Sequence, residues 1–198
     1  IAQRAVAPAE AHTGHGLAAG FVLEEHAAVV AQFGAHEMAG AFVLAAQLER
    51  RRRDVAERWG LTDEVVLVGA GSPIHVPGRA DRTYPFHSHS EYLYLTDRER
   101  PEGVLAFDPA EGWVDFVAPV TRDERLWEGA PAGEIGGTPL PGLEAWLAAR
   151  SGRPVAVLGA PAAATAAVAS DAGLVERTRA ALSHVRRQKD EVELARMR

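Results

Sequence analysis

Cysteine is absent from this 198-residue chain. A disulfide framework, a thiolate nucleophile and a thiolate metal site are therefore excluded together. No apolar run approaches the ~20 residues that span a bilayer as a helix. Basic charge is also scarce. The 21 Lys and Arg against 27 Asp and Glu leave a net charge of −6, the wrong sign for displacing counterions from nucleic acid. No Gly-x-Ser-x-Gly elbow, phosphate-binding loop or dinucleotide fingerprint occurs. A basic-then-apolar signal peptide is not visible, and the chain starts at Ile1 rather than Met, as a processed or recombinant fragment would. These absences point to a cytoplasmic protein with no nucleic-acid and no membrane partner.

What is present, 47% hydrophobic and 24% charged residues, suits a globular domain with one sizeable core. Residues 1–19 are small, poorly patterned and broken by Pro8, Gly14 and Gly16, so a flexible lead-in is expected. His12 and His15 lie in it without the surroundings that orient imidazole ligands, and are not read as a metal site. Residues 21–59 read as helical, with a break near 34–40 where Gly34 and Gly40 weaken the helix. Leu48, Val55 and Trp59 are expected to face the core, and Arg50 to Arg53 to form a solvated cluster.

Strands follow. Glu64 to Val68 is a short apolar run closed by Gly69-Ala70-Gly71, the pattern of a buried strand ending in a turn. Residues 72–83 read as a loop. Gly103 to Phe107 and Trp113 to Val117 form a hairpin across Asp108-Pro109, after which Leu126 and Trp127 are expected to anchor a short segment. The last third alternates helix and strand. It holds a helix from Leu140 to Ala149, a strand from Pro154 to Leu158, an Ala-rich helix or packed loop at 161–170, and a helix from Gly173 to Leu182. A short extended piece is expected at Val185. Asp190 then caps a final helix, with Glu193 reaching back to the cap and Leu194 and Met197 on its apolar side. The architecture expected is α/β, a mixed β-sheet flanked by helices over residues 46–185, with an N-terminal extension (1–45), flexible then helical. Val66, Leu67, Tyr94, Leu95, Leu105, Phe107, Phe116, Val155 and Val157 are the expected core.

The stretch richest in chemistry is Tyr84 to Thr96. Pro85 fixes its own φ and pushes Tyr84 towards an extended conformation, and Tyr92 to Thr96 are aromatic, branched or β-favouring. A turn followed by a strand is expected. On a two-residue period His87, His89 and Glu91 then share one face. Such a face is either an exposed polar edge or a group that shares a proton, binds a cation weakly or lines an entrance.

Tyr84-Pro85-Phe86, Ser90-Glu91-Tyr92-Leu93-Tyr94-Leu95-Thr96 and Pro101-Glu102-Gly103-Val104-Leu105 resemble, in order and spacing, the N-terminal domain of proline-specific aminopeptidases (aminopeptidase P, of the creatinase and prolidase superfamily). Asp123 to Gly129 resembles the family's acidic Trp-x-Gly segment, and Arg187 to Arg198 resembles its linker to the catalytic domain. The resemblance runs from about Arg51 to the end of the chain. It implies the small α/β domain that precedes the "pita-bread" catalytic domain of these Xaa-Pro metallopeptidases, with residues 186–198 starting the linker helix. In the family two divalent cations, often manganese, share a bridging hydroxide and are held by two Asp, one His and two Glu of the C-terminal domain. This chain supplies no such set. No catalytic residue, metal ligand or cofactor is therefore assigned to it, and Asp108, Asp115 and Asp123 are read as turn and strand-end residues.

The partners implied are the chain's own catalytic domain, neighbouring subunits and the peptide substrate. The role implied is in oligomerisation and substrate access, with His87, His89, Tyr92 and Leu93 as access candidates. The stretch departs from the family: His87 and His89 stand where Arg and Asn or Asp are usual, Leu93 where some members carry Trp, and Asp97 where Gly is usual. Two other readings stand beside this one. The first is a stand-alone binding module of the same fold. The second is a small hydrolase using His87 or His89 with Glu91, which lacks a nucleophile.

Overall fold

The computed structural model describes residues 42–127, 129 and 136–198. The lead-in, His12 and His15, and the helix break near 34–40 lie outside the described residues. The chain divides into two units, Ile1–Ala45 and Ala46–Arg198. All the described strands lie in the second unit.

Helix α1 occupies 46–59 of this unit, and Gly60 ends it in the left-handed region at φ 58°. Val55 and Trp59, four residues apart and so on one face, are buried, and the Trp59 indole N–H donates to Thr178 O at 2.9 Å. Leu48 is half-buried. The strands are β1 (Val65–Ala70), β2 (His75–Val76), β3 (Arg79–Thr83), β4 (Val104–Asp108), β5 (Gly112–Val117), β6 (Thr138–Pro139) and β7 (Val155–Ala160). Five of them form one sheet in the order β6-β5-β4-β1-β7. Pairs β1·β7 and β5·β6 are parallel, while β1·β4 and β4·β5 are antiparallel. The expected hairpin is thus present. Residues 72–83, expected as a loop, contain instead a separate antiparallel hairpin of β2 and β3, turning at Gly78 with φ 73°.

The helices after α1 are α2 (Ser90–Thr96), α3 (Arg122–Trp127), α4 (Gly142–Ala148), α5 (Ala172–Val185) and α6 (Glu191–Met197). The Ala-rich stretch resolves into a single 3-10 turn, Ala163–Thr165, within loop. Val185, expected as extended, is the last residue of α5.

The sheet is buried on both faces, which explains why β1 is apolar throughout rather than alternating. Val66, Val68, Leu105, Phe107, Ala156 and Leu158 point to one side, against α1, α2 and α5. Leu67, Val104, Ala106 and Phe116 point to the other, against Leu143 of α4 and Ala162. All the expected core residues are buried except Val155 and Val157, which are half-buried. These two lie on edge strand β7 and pack against the rim of the second cluster.

Tyr84 to Thr96 is where local propensity misleads. Residues 90–96 form helix α2, not a strand. His89 is its N-cap, its Nδ1 accepting the Glu91 N–H at 3.3 Å, and Asp97 closes it at φ 55° with its N–H on Leu93 O. A helical period places Glu91, Tyr92 and Leu95 together against the sheet, and that burial outweighs the β-preference of the side chains.

The Arg50 to Arg53 run is likewise not uniformly solvated. Arg51 is buried, donating through Nε to Asp190 Oδ2 at 2.6 Å and through Nη1 to Tyr94 O at 3.0 Å, with its guanidinium over the Tyr94 ring. Arg52 donates to Leu95 O. Asp190 is the N-cap of α6 in the expected capping box with Glu193, so the Arg51 contact joins the last helix to the first. Burial opposes ionisation of Asp190, but hydrogen bonds from the Glu193 N–H and Arg51 outweigh it and hold the carboxyl below its usual range.

At the end of β4 Asp108 is buried among arginines: Arg150 Nε lies 2.6 Å and Arg153 Nη1 2.9 Å from its Oδ2. Arg150 also stacks on the Trp146 ring at 3.7 Å. Arg153 first, then the Ala110 N–H and Arg150, hold Asp108 well below the usual carboxylate range against its burial. Glu64 is lowered to about 2 by its own backbone N–H, that of Thr62 and Arg177.

Both depressed carboxyls contribute stability that is complete above their unfolded values of about 4 and is lost as pH falls through the folded ones. Acid unfolding followed by circular dichroism is expected to show stability dropping progressively below about pH 4, with Glu64→Gln and Asp108→Asn each flattening the slope.

The parallel pair β1·β7 contains a second sequence-encoded constraint. Gly69 and Gly159 are partners, and a Cβ on either would stand 2.2 Å from a backbone oxygen of the facing strand. Gly159 also sits at φ 73°. Gly69→Ala is expected to cost about 3 kcal/mol or more in urea unfolding, since backbone rather than a mobile side chain must move. Gly152→Ala, where no atom lies within 4 Å but φ is 85°, meets backbone strain without a steric clash and is expected to lose only about 1 kcal/mol.

Candidate functional site

Phe86 to Glu91 crosses the carboxyl ends of the parallel strands β1 and β7. The His89 N–H donates to Ala70 O at 2.9 Å, and the Glu102 N–H donates to the next carbonyl, Gly71 O, also at 2.9 Å. In open α/β sheets this end of the strands is where ligands are usually held.

The four access candidates do not stay together. His87 is 82% exposed, its Nδ1 3.6 Å from Glu99 Oε1. Its neighbour Ser88 is buried, the Ser88 N–H donating to Glu99 Oε2. His89 is 38% exposed and is occupied in capping α2. Leu93 is half-buried. Tyr92 is fully buried, so it is not an access residue. It packs into the core with its O–H donating to Asp115 Oδ1 at 3.4 Å, because the helical turn aims it inward where a strand would have let it alternate outward. Burial, then the Asp115 charge, pushes the Tyr92 phenol far above its ordinary value. Burial also raises the Asp115 carboxyl, although Arg98 and Arg52 oppose this.

Glu91 is equally unavailable for catalysis. It is buried, accepts the Gly159 N–H at 2.7 Å through Oε2, and has Arg179 Nε 3.6 Å from Oε1. It acts as a plug on edge strand β7, two more of whose outward groups are covered by Ser170 Oγ on the Val157 N–H and by the Asp171 N–H on Val155 O. His89 Nδ1 lies 3.8 Å from Glu91 Oε2, but both groups are already engaged, His89 in capping α2 and Glu91 on the Gly159 N–H. Among the described residues no group of three or more His, Asp or Glu could hold a metal ion. Asp108 and Asp115 are in structural ion clusters, and Asp123 lies on exposed α3.

Sequence reasoning missed a different surface. Leu126 and Trp127, expected to anchor a segment, are 73% and 82% exposed on α3. The excursion carrying them is held at both ends. Arg100 donates to Ala118 O and Pro119 O and pairs with Glu124 at 2.9 Å, while Arg98 donates to Gly136 O and lies 3.2 Å from Asp115. Ile74 and Tyr84, joined by the Tyr84 N–H to Ile74 O bond at the base of the β2–β3 hairpin, are also largely exposed. The signal that could have found them is a large apolar residue inside a short, charge-dense segment too brief to bury it, as in Arg-Asp-Glu-Arg-Leu-Trp.

The fold and this surface define a mixed-sheet α/β domain whose described residues include no catalytic constellation. Residues 48–144 match the family described as "Aminopeptidase P, N-terminal domain". No curated protein matches the sequence. Among solved structures, aminopeptidase PepP of Pseudomonas aeruginosa aligns at 20% identity with a TM-score of 0.47, over 71% of this chain and 32% of its own. The low-pH form of E. coli aminopeptidase P aligns at 19% and 0.44, over 72% and 33%. Proline aminopeptidase P II from Yersinia pestis aligns at 18% and 0.43, over 72% and 33%. The chain thus spans about a third of the length of these structures. Among the described residues no helix is long and apolar enough to cross a membrane.

The separate duties of the two histidines are testable. His87→Ala is expected to leave thermal stability within about 0.5 kcal/mol, as at most exposed sites. His89→Ala removes a helix cap and is expected to cost about 1 kcal/mol. Glu91→Ala strands the Gly159 N–H and is expected to cost about 1–3 kcal/mol by denaturant unfolding.

Proposed function

We propose that this chain is the non-catalytic N-terminal domain of a proline-specific metallo-aminopeptidase, which removes the N-terminal residue from Xaa-Pro peptides. In this reading residues 46–185 form the domain, 186–198 begin the linker helix to a catalytic domain, and 1–45 are an extension. The observation that carries it is the family match over residues 48–144. The catalytic domain supplies the metal pair, with manganese as the metal, and works in the cytoplasm. The domain's own contribution is to pack beside a catalytic domain, its own or a neighbouring subunit's, and to restrict which peptides enter.

Two surfaces support that contribution. His87, with His89 and Leu93 behind it, presents polar groups at the carboxyl end of the sheet. Leu126 and Trp127 present an apolar tip on a stem held by Arg98 and Arg100, as a contact surface for another domain requires. A stand-alone binding module of the same fold uses the same exposed side chains but needs no peptidase beside it.

The test is an Xaa-Pro cleavage assay with added manganese. The chain alone is expected to give no turnover. Extended by a catalytic domain of the family, it is expected to cleave, and His87→Ala to change the ratio of turnover on short and long Xaa-Pro peptides at unchanged thermal stability. Turnover by the purified chain alone would overturn the non-catalytic reading. An unchanged peptide ratio would remove the access role of this surface.

A further inference from the structure

A cleft of about 780 Å³ lies between α1 and the turn that joins α5 to α6. Its charges do not cancel. Of its three carboxylates, Asp54 and Glu57 face Arg53 at 3.3 and 3.9 Å, and Asp190 faces Arg51 at 2.5 Å. Lys189 lies 3.5 Å from Glu193. Three further arginines line the cleft, Arg50, Arg58 and Arg187, and none has a carboxylate within 4.0 Å among the described residues. A surplus of guanidinium groups converges on one concavity in a chain whose net charge is −6. The floor intensifies it: Tyr94 carries the Arg51 guanidinium 4.7 Å and the Arg186 guanidinium 5.5 Å from its ring centre, leaving the aromatic face occupied by cations.

The spacing selects the ligand. Arg50 and Arg58 are eight residues apart on α1, about 12 Å along the axis, too far for one compact anion to reach both. An extended peptide covers that distance in about four residues at roughly 3.3 Å each. The remaining lining suits a peptide better than a polyphosphate. Gln47 and Gln188 offer amides to a backbone, Val185 offers an apolar contact, and Asp54 and Glu57 oppose dense negative charge. We propose that this cleft binds a short extended acidic peptide segment whose carboxylates, about four residues apart, are held by Arg50 and Arg187 at one end and Arg58 at the other, through charge-assisted hydrogen bonds.

The probe is the fluorescein-labelled peptide Gly-Glu-Gly-Ser-Gly-Glu-Gly, titrated with the full chain and read by fluorescence anisotropy at low and at physiological salt. Binding is expected, weakening as salt rises. It is expected to be lost when both Glu of the probe are replaced by Gln. Arg58→Ala and Arg187→Ala are each expected to weaken it about tenfold, the loss of one charge-assisted hydrogen bond. Both side chains are exposed, so thermal unfolding of the variants is expected to match the parent. Absence of binding, equal binding of the Gln probe, indifference to both substitutions, or binding of inorganic tripolyphosphate in place of the peptide would each overturn the proposal.

Discussion

The close approach of Gly69 and Gly159 is the contact on which the rest of this domain depends. With no Cβ on either strand, the ends of β1 and β7 meet at a distance no other residue permits, and Gly159 turns through a left-handed conformation. That turn directs its N–H at the Glu91 carboxylate, which in turn sets the first turn of α2 on the sheet. The start of α2 is held a second time by the His89 N–H on Ala70 O. Beneath it Gly103 leaves room for the Tyr92 hydroxyl, where a Cβ would stand 2.4 Å away. Three glycines thus bring the ends of three strands and the beginning of one helix to a common place.

Around that junction the helices are joined by arginines as much as by apolar contact. Arg51 links α1, α2 and α6, Arg150 and Arg153 link α4 and the entry to β7 with the end of β4, and Arg98 and Arg100 secure the excursion between β5 and β6. Burying such groups is costly, and pairing a guanidinium with a carboxylate recovers much of that cost without adding much net stability. What they add is geometry: each bonds backbone carbonyls or capping carboxylates at element ends, where a change of register would leave a buried charge unpaired.

The functional consequence is a division of labour among polar side chains that look alike in the sequence. Glu91, Asp108, Asp115 and Asp190 are committed to holding the fold. His87, the apolar tip of α3 and the arginines lining the α1 cleft face outward. The outward residues are legible as such only after the committed ones have been removed from consideration.

The sequence by itself determined the layered α/β architecture, the β1, β4, β5 and β7 strands, most of the core and the Asp190–Glu193 cap, because each rests on a local pattern: an apolar run, a turn residue, or a cap three positions from its partner. It also carried the resemblance to the family whose model matches residues 48–144, through the order of Tyr84-Pro85, Ser90 to Thr96 and Pro101 to Leu105. Only the tertiary structure decided that 90–96 is a helix, that Tyr92 and Arg51 are buried, and that Leu126 and Trp127 are exposed. The reason is the same in each case. A seven-residue segment has too little intrinsic preference to choose its own conformation, and a side chain's burial is set by which distant element arrives beside it. For Tyr92 that element is β5, for Arg51 it is the cap of α6, and over Trp127 no described element arrives.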